Sequence, residues 1–151
     1  MGYEIKLIAG EKTSDGTFLE ILSVDLSKIG NGPLSKLISF AQGKTKTPDF
    51  QEWRDFKSIM GKHIGVEGET ADLFGVGTQY DFVSVYDGNE KIDEDLYGDP
   101  LPAIPVLQVL SALDEEIRID SSYRRFILAK SSLKEFETDL WSNIFVVPFG
   151  H

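Results

Sequence analysis

Near the amino terminus the apolar residues Tyr3, Ile5 and Leu7 alternate with Glu4 and Lys6. This is the period of a half-buried strand. A second strand is expected over 17–26 (TFLEILSVDL), with Phe18, Leu22, Val24 and Leu26 on one face. The intervening KTSDG at 12–16 supplies the Ser, Asp and Gly of a hairpin loop. Pro33 fits the first turn of a helix carrying Leu34, Leu37, Ile38 and Ala41, which Gly43 ends. A further helix is expected from about 48, where Asp49 and Glu52 form a capping box ahead of Trp53, Phe56 and Met60. The glycine-rich connector at 62–79 shows little periodicity.

The most strand-like segment is 80–87 (YDFVSVYD), followed by Gly88 and Asn89 and a short return strand at about 90–92. Pro100, Pro102 and Pro105 keep the next stretch extended. Pro105 then suits the first position of a helix whose core stripe is Val106, Val109, Leu110, Leu113 and Ile117. Another helix, about 122–137, buries Phe126, Ala129, Leu133 and Phe136. A closing strand at 143–149 is limited by Pro148 to an edge or a strand end. Helices do not alternate one for one with strands, so the pattern predicts an α+β fold. We expect one globular domain, 1–151, with a mostly antiparallel sheet of about five strands packed against about four helices.

Composition narrows the function. The chain has 151 residues, 41% hydrophobic and 26% charged, close to globular averages. It has no run of about 20 apolar residues that could span a membrane and no basic stretch leading into an apolar one at its start. A cytoplasmic location is expected. The absence of cysteine excludes thiolate metal sites and cysteine nucleophiles. A net charge of −10 argues against direct binding of nucleic acid, which requires Lys and Arg against phosphates.

That charge is unevenly placed. Residues 64–116 hold thirteen acids and one base, Lys91, whereas the rest of the chain holds twelve acids and fourteen bases. Within 90–99 (EKIDEDLYGD), five of ten residues are acidic. Two like charges 4 Å apart repel by about 4 kcal/mol at an effective dielectric near 20, and by about 1 kcal/mol in water. Such carboxylates must be solvated, neutralised by the basic stretch 117–134, or presented to a cationic partner.

Recognisable chemical motifs do not complete. The fragment GKT at 43–45 has Ile38 where a phosphate-binding loop needs Gly, and GVGTQY at 75–80 precedes a strand instead of following one. A calcium loop begun at Asp93 places Gly98 correctly but meets Tyr97 and Ile104 at ligand positions. His63 reads as a helix-end cation and His151 as a mobile terminal residue. A carboxylate pair is conceivable for Asp81 and Asp87, which would share a face of one strand. No cofactor or metal is expected.

The leading expectation is an acidic, non-enzymatic binding protein. It would be an immunity protein or a nucleic-acid-mimicking inhibitor of a basic protein, using Asp87, Glu90, Asp93, Glu94, Asp95, Tyr97 and Asp99. Tyr97 would serve as an aromatic anchor. The competing expectations are a hydrolase-type enzyme, with a carboxylate pair or a carboxylate-bound divalent metal, and a structural or assembly subunit.

Overall fold

A computed structural model describes residues 3–44, 80–137 and 144–151. The helix expected from 48, the connector at 62–79, His63 and Trp141 lie outside the described residues. In chain order the elements are β1 (Tyr3–Lys12), β2 (Phe18–Ile29), α1 (Pro33–Ala41), β3 (Val85–Asp87), β4 (Glu90–Ile92), β5 (Ile104–Pro105), α2 (Val106–Ile119), α3 (Arg124–Lys134) and β6 (Ile144–Gly150). A short 3-10 turn, Glu135–Glu137, follows α3. The architecture is α+β. One four-stranded antiparallel sheet has the order β2-β1-β6-β5, and β3 and β4 form a separate hairpin.

The described strands therefore number six in two sheets, not about five in one, and the described helices number three. The segment 80–84 runs beside 100–103, with Val83 N–H donating to Leu101 O and Ala103 N–H to Asp81 O, but the two meet through one bridge, Phe82 with Pro102, and not through a ladder. Only Val85–Asp87 continues as a strand. At the hairpin turn Gly88 takes φ +63°, the positive value that primed turns demand.

Strand alternation gives the main sheet two unlike faces. Ile5, Leu7 and Ala9 of β1 and Ile144 and Val146 of β6 pack under the three helices. They meet Leu34 and Leu37 of α1, Val109 and Leu113 of α2, and Phe126, Ala129 and Leu133 of α3, so the expected helix stripes do face the core. On the opposite face Ile8, Val147 and Phe149 pack with Val83, Val85, Leu101 and Ala103 beneath the hairpin.

Strand β2 departs from the expected single apolar face. Leu22, Val24 and Leu26 join the helix side, but Phe18 is buried on the hairpin side. The pairing Ala9 with Leu22 is followed by Gly10 with Glu20, leaving Ile21 as an extra residue on β2. A one-residue bulge reverses every side chain beyond it. A second irregularity lies between Ile5 and Lys6, near Ser27, whose φ of +56° is supported by its N–H donating to Asp25 Oδ1 at 2.8 Å.

Proline sets two boundaries. Pro105 caps α2 from outside rather than beginning it, because its ψ of 138° is extended and it still pairs with Phe145. Pro148 pairs with Leu7 inside the sheet order, but on the flank that short β5 does not reach, so its missing N–H leaves no gap in the ladder. At the α1–α2 contact, Glu116 Oε1 accepts the Leu34 N–H at 3.1 Å. Burial raises the Glu116 pKa above its ordinary value, while this hydrogen bond opposes the shift.

Two predictions arise from these details. A Cβ on Gly10 would stand 2.1 Å from Leu19 O, so Gly10→Ala must push β1 and β2 apart. We expect a loss of about 1–3 kcal/mol in urea unfolding. In the β1–β2 loop, hydrogen bonds from the Thr13 hydroxyl and the Thr17 N–H lower the Asp15 pKa from 3.8 to about 2. A depressed carboxylate stabilises fully above its unfolded pKa and loses that contribution as pH falls through its folded one. A carboxyl NMR titration is expected to find the Asp15 midpoint near 2, and a midpoint at the unperturbed 3.8 would contradict the loop geometry.

Candidate functional site

The acidic stretch leaves the hairpin, crosses the end of the second sheet face and returns to Pro100. Its residues do not share one environment. Asp95 is turned inward and is only 6% exposed. Its Oδ1 accepts the N–H groups of Tyr97 at 2.9 Å and Asp99 at 3.0 Å, and its Oδ2 accepts the buried N–H of Gly150 at 3.0 Å. The backbone adds Asp95 N–H to Asp99 O, Gly98 N–H to Asp95 O, and Leu96 N–H to Gly150 O. Asp95 is thus the staple that fixes the acidic loop to the end of β6.

Its neighbours are handled differently. Asp99 is ion-paired to Lys44 at 2.8 Å, and Asp81 to Lys12 at 2.5 Å. Farther along, Asp114 pairs with Lys130 at 2.5 Å and Glu115 with Arg118. Asp93 is exposed and accepts the Ser84 hydroxyl. Asp87, Glu90 and Glu94 are exposed and have no ion-pair partner among the described residues. Of the seven residues expected at the site, Asp87, Glu90, Asp93 and Glu94 stand at the surface of one hairpin and its exit. Asp95 and Asp99 hold the loop in place.

Asp87 faces Glu90 directly across the hairpin. Like charges in that register destabilise a strand pair. Lys91 pairs instead with Tyr86. Tyr97 is half exposed, and its hydroxyl donates to His151 O at 3.0 Å, so the ring is held at the surface. Leu96, Tyr86 and Phe82 are 75%, 54% and 54% exposed. These three apolar side chains lie outside the expected site. The adjacent pair Leu96–Tyr97 within an acidic run is the sequence signal that could have marked them.

Next to the hairpin the second sheet face opens into a groove of about 700 Å³. Ile8, Phe18, Val85 and Phe149 contribute to its apolar part, and Tyr86 and Leu96 border it. Its ionisable groups are Lys6, Glu20, Asp25, Asp87 and His151. Lys6 Nζ lies 5.1 Å from the Phe149 ring centroid. His151, expected to be mobile, is held by its N–H donating to Glu4 O at 3.0 Å and by the Tyr97 contact. Its Nε2 is 3.4 Å from Asp25 Oδ1, an electrostatic contact without hydrogen-bond geometry. The Asp25 pKa is lowered, first by the Ser27 N–H and then by the neighbouring His151.

Two chemical expectations change with these positions. Asp81 precedes β3 and is tied to Lys12, so Asp81 and Asp87 do not share a strand face. Among the described residues no three His, Asp or Glu side chains are grouped to hold a metal ion, and the Asp95 oxygens of the calcium-like run are engaged by amides. No described helix is long and apolar enough to cross a membrane. Comparison of the chain with protein-family models, curated proteins and solved structures finds no match.

The staple and the open carboxylates should respond differently to truncation. Asp95→Ala strands the buried Gly150 amide and removes charge-assisted bonds, and a loss of about 3 kcal/mol is expected in denaturant unfolding. Asp93→Ala, at an exposed site, is expected to stay within about 0.5 kcal/mol of the parent.

Proposed function

We propose that the chain is a cytoplasmic binding protein that uses the hairpin carboxylates to engage a basic protein surface. An immunity protein, or an inhibitor occupying a nucleic-acid-binding groove, is the form of this activity that the charge fits best. The observation that carries the reading is the pairing of Asp87 with Glu90, beside Asp93 and Glu94, with Lys91 turned to Tyr86 and no ion pair to these carboxylates among the described residues. The fold keeps this repulsion at its surface while neutralising Asp81, Asp99, Asp114 and Glu115. A cationic partner relieves it on binding, and long-range attraction speeds the encounter.

The exposed apolar residues support the same reading. Tyr86, Leu96 and Tyr97 are interleaved with the open carboxylates. An aromatic or aliphatic anchor inside a charged border is the composition of protein interfaces, where the anchor slows dissociation and the charges guide association. Asp95 holds the array in one arrangement before the partner arrives, which reduces the ordering entropy lost on binding.

The test compares the parent chain with the variant Asp87→Asn, Glu90→Gln, Asp93→Asn, Glu94→Gln as immobilised baits in host extract. The parent is expected to retain a basic protein at low salt and release it at high salt. With the purified partner, the variant should associate about tenfold or more slowly at low salt, with its melting temperature maintained. Equal retention of the same protein by both baits would refute the assignment.

A further inference from the structure

We infer that the outward face of α3 receives the hairpin carboxylates of a second copy of this chain, so that copies associate head to tail. This rests on the reading that those carboxylates engage a basic protein surface, and it names one such surface. Helix α3 packs on the core through Phe126, Ala129 and Leu133. Its opposite stripe runs through Arg124, Leu128 and Glu135, with Ile127 and Lys134 on one flank and Arg125 on the other, and all six are exposed.

The outward stripe of a surface helix is ordinarily polar. Here Leu128 is 61% exposed and Ile127 40%, and three cations surround them against one acid, Glu135. An apolar centre within a charged rim is the composition of a contact surface. Arg124 and Lys134 form no ion pair among the described residues, and Arg125 donates to Asp25 O at 3.0 Å.

Charge complementarity selects the occupant. The hairpin and its exit present Asp87, Glu90 and Glu94 without ion-pair partners among the described residues, together with the exposed side chains of Tyr86 and Leu96. The two surfaces thus carry the same ingredients with the charges reversed. Within one molecule they do not meet, because α3 packs on the helix-covered face of the main sheet and the hairpin packs on the opposite face. A contact between unlike surfaces is heterologous, and it extends to chains of copies unless the rotation closes a ring. Each copy carries a net charge of −10, but at about 0.15 M salt a Debye length of about 8 Å screens that long-range repulsion more than it screens charges in contact. The association is therefore weak, and a tighter basic partner for the hairpin displaces it.

Sedimentation equilibrium at up to about 0.5 mM protein in about 0.15 M salt tests the assignment. The average mass of the parent should rise with concentration past that of a dimer, and it should fall toward the monomer at about 1 M salt. The hairpin variant Asp87→Asn, Glu90→Gln, Glu94→Gln and the helix variant Arg124→Gln, Leu128→Ala, Lys134→Gln should each associate about tenfold or more weakly than the parent, with unchanged melting temperatures. Mixed in equal amounts, the two should form a one-to-one dimer and nothing larger, within about threefold of the parent's affinity per contact, since one supplies an intact α3 and the other an intact hairpin.

A monomeric parent, a mass that levels at the dimer, a variant that associates as the parent does, or a mixture that stays monomeric would each overturn the inference. If a basic protein of the host extract still depends on the hairpin carboxylates in those cases, the partner reading survives without α3. Self-association lost in both variants and restored in their mixture, with no basic protein of the extract depending on the hairpin, upholds the inference and restricts the partner to a second copy.

Discussion

One buried carboxylate organises the surface of this protein. Asp95 accepts three backbone N–H groups, two from its own loop and one from Gly150 at the end of β6. Beyond Pro148 no described strand pairs with the β5 flank of β6, and the carboxylate takes the amide that a neighbouring strand would have taken. An ionised acceptor makes stronger hydrogen bonds than a neutral one, and a buried amide left without a partner is costly. A loop dense in like charges thereby acquires a fixed attachment that its own repulsion would otherwise oppose.

The sheet gives that attachment its direction. Its helix-covered face holds the larger core, and among the described residues the hairpin and the segment 100–103 pack on its other face. Bonds from Gly150 to Asp95 and from Leu96 to Gly150 bring Leu96 to the groove and Tyr97 to His151 at its edge, while Asp93 and Glu94 remain exposed. Neutralisation is equally selective. Lys12 and Lys44 engage the acids that flank the array, and α2 and α3 engage those that follow it. None of the ion pairs joins the hairpin carboxylates to Arg118, Arg124 or Arg125. The charge excess in the sequence is thus divided between structural pairs and a smaller exposed group.

Periodicity was enough to read α1, α2 and α3, because each buries one regular stripe such as Val106, Val109 and Leu113, and it placed Ile5 and Leu7 of β1 but missed Ile8, which is buried on the opposite face. It failed on β2, where the bulge at Ile21 sends Phe18 to the other face, since such a bulge is set by pairing with Gly10 and not by Ile21 itself. It overextended β3, because residues 80–84 meet 100–103 through the single bridge of Phe82 with Pro102 and only Val85–Asp87 pairs as a strand. Asp93 and Asp95 are chemically alike in sequence. What separates them is the turn Asp95–Asp99, closed through Gly98 at φ +81°, and a distant amide at Gly150. That turn carries a local signal, an Asp three residues before Gly, whereas the partner amide carries none.

Native-state hydrogen exchange at the Gly150, Tyr97 and Asp99 amides tests most directly whether the acidic loop is fastened to the sheet. The account predicts that the three amides are protected together, at a level close to that of central β1 amides, and that they lose this protection together when Asp95 is replaced by Ala. Exchange of Tyr97 and Asp99 at the rate of an open loop, with Gly150 protected regardless of residue 95, would contradict it.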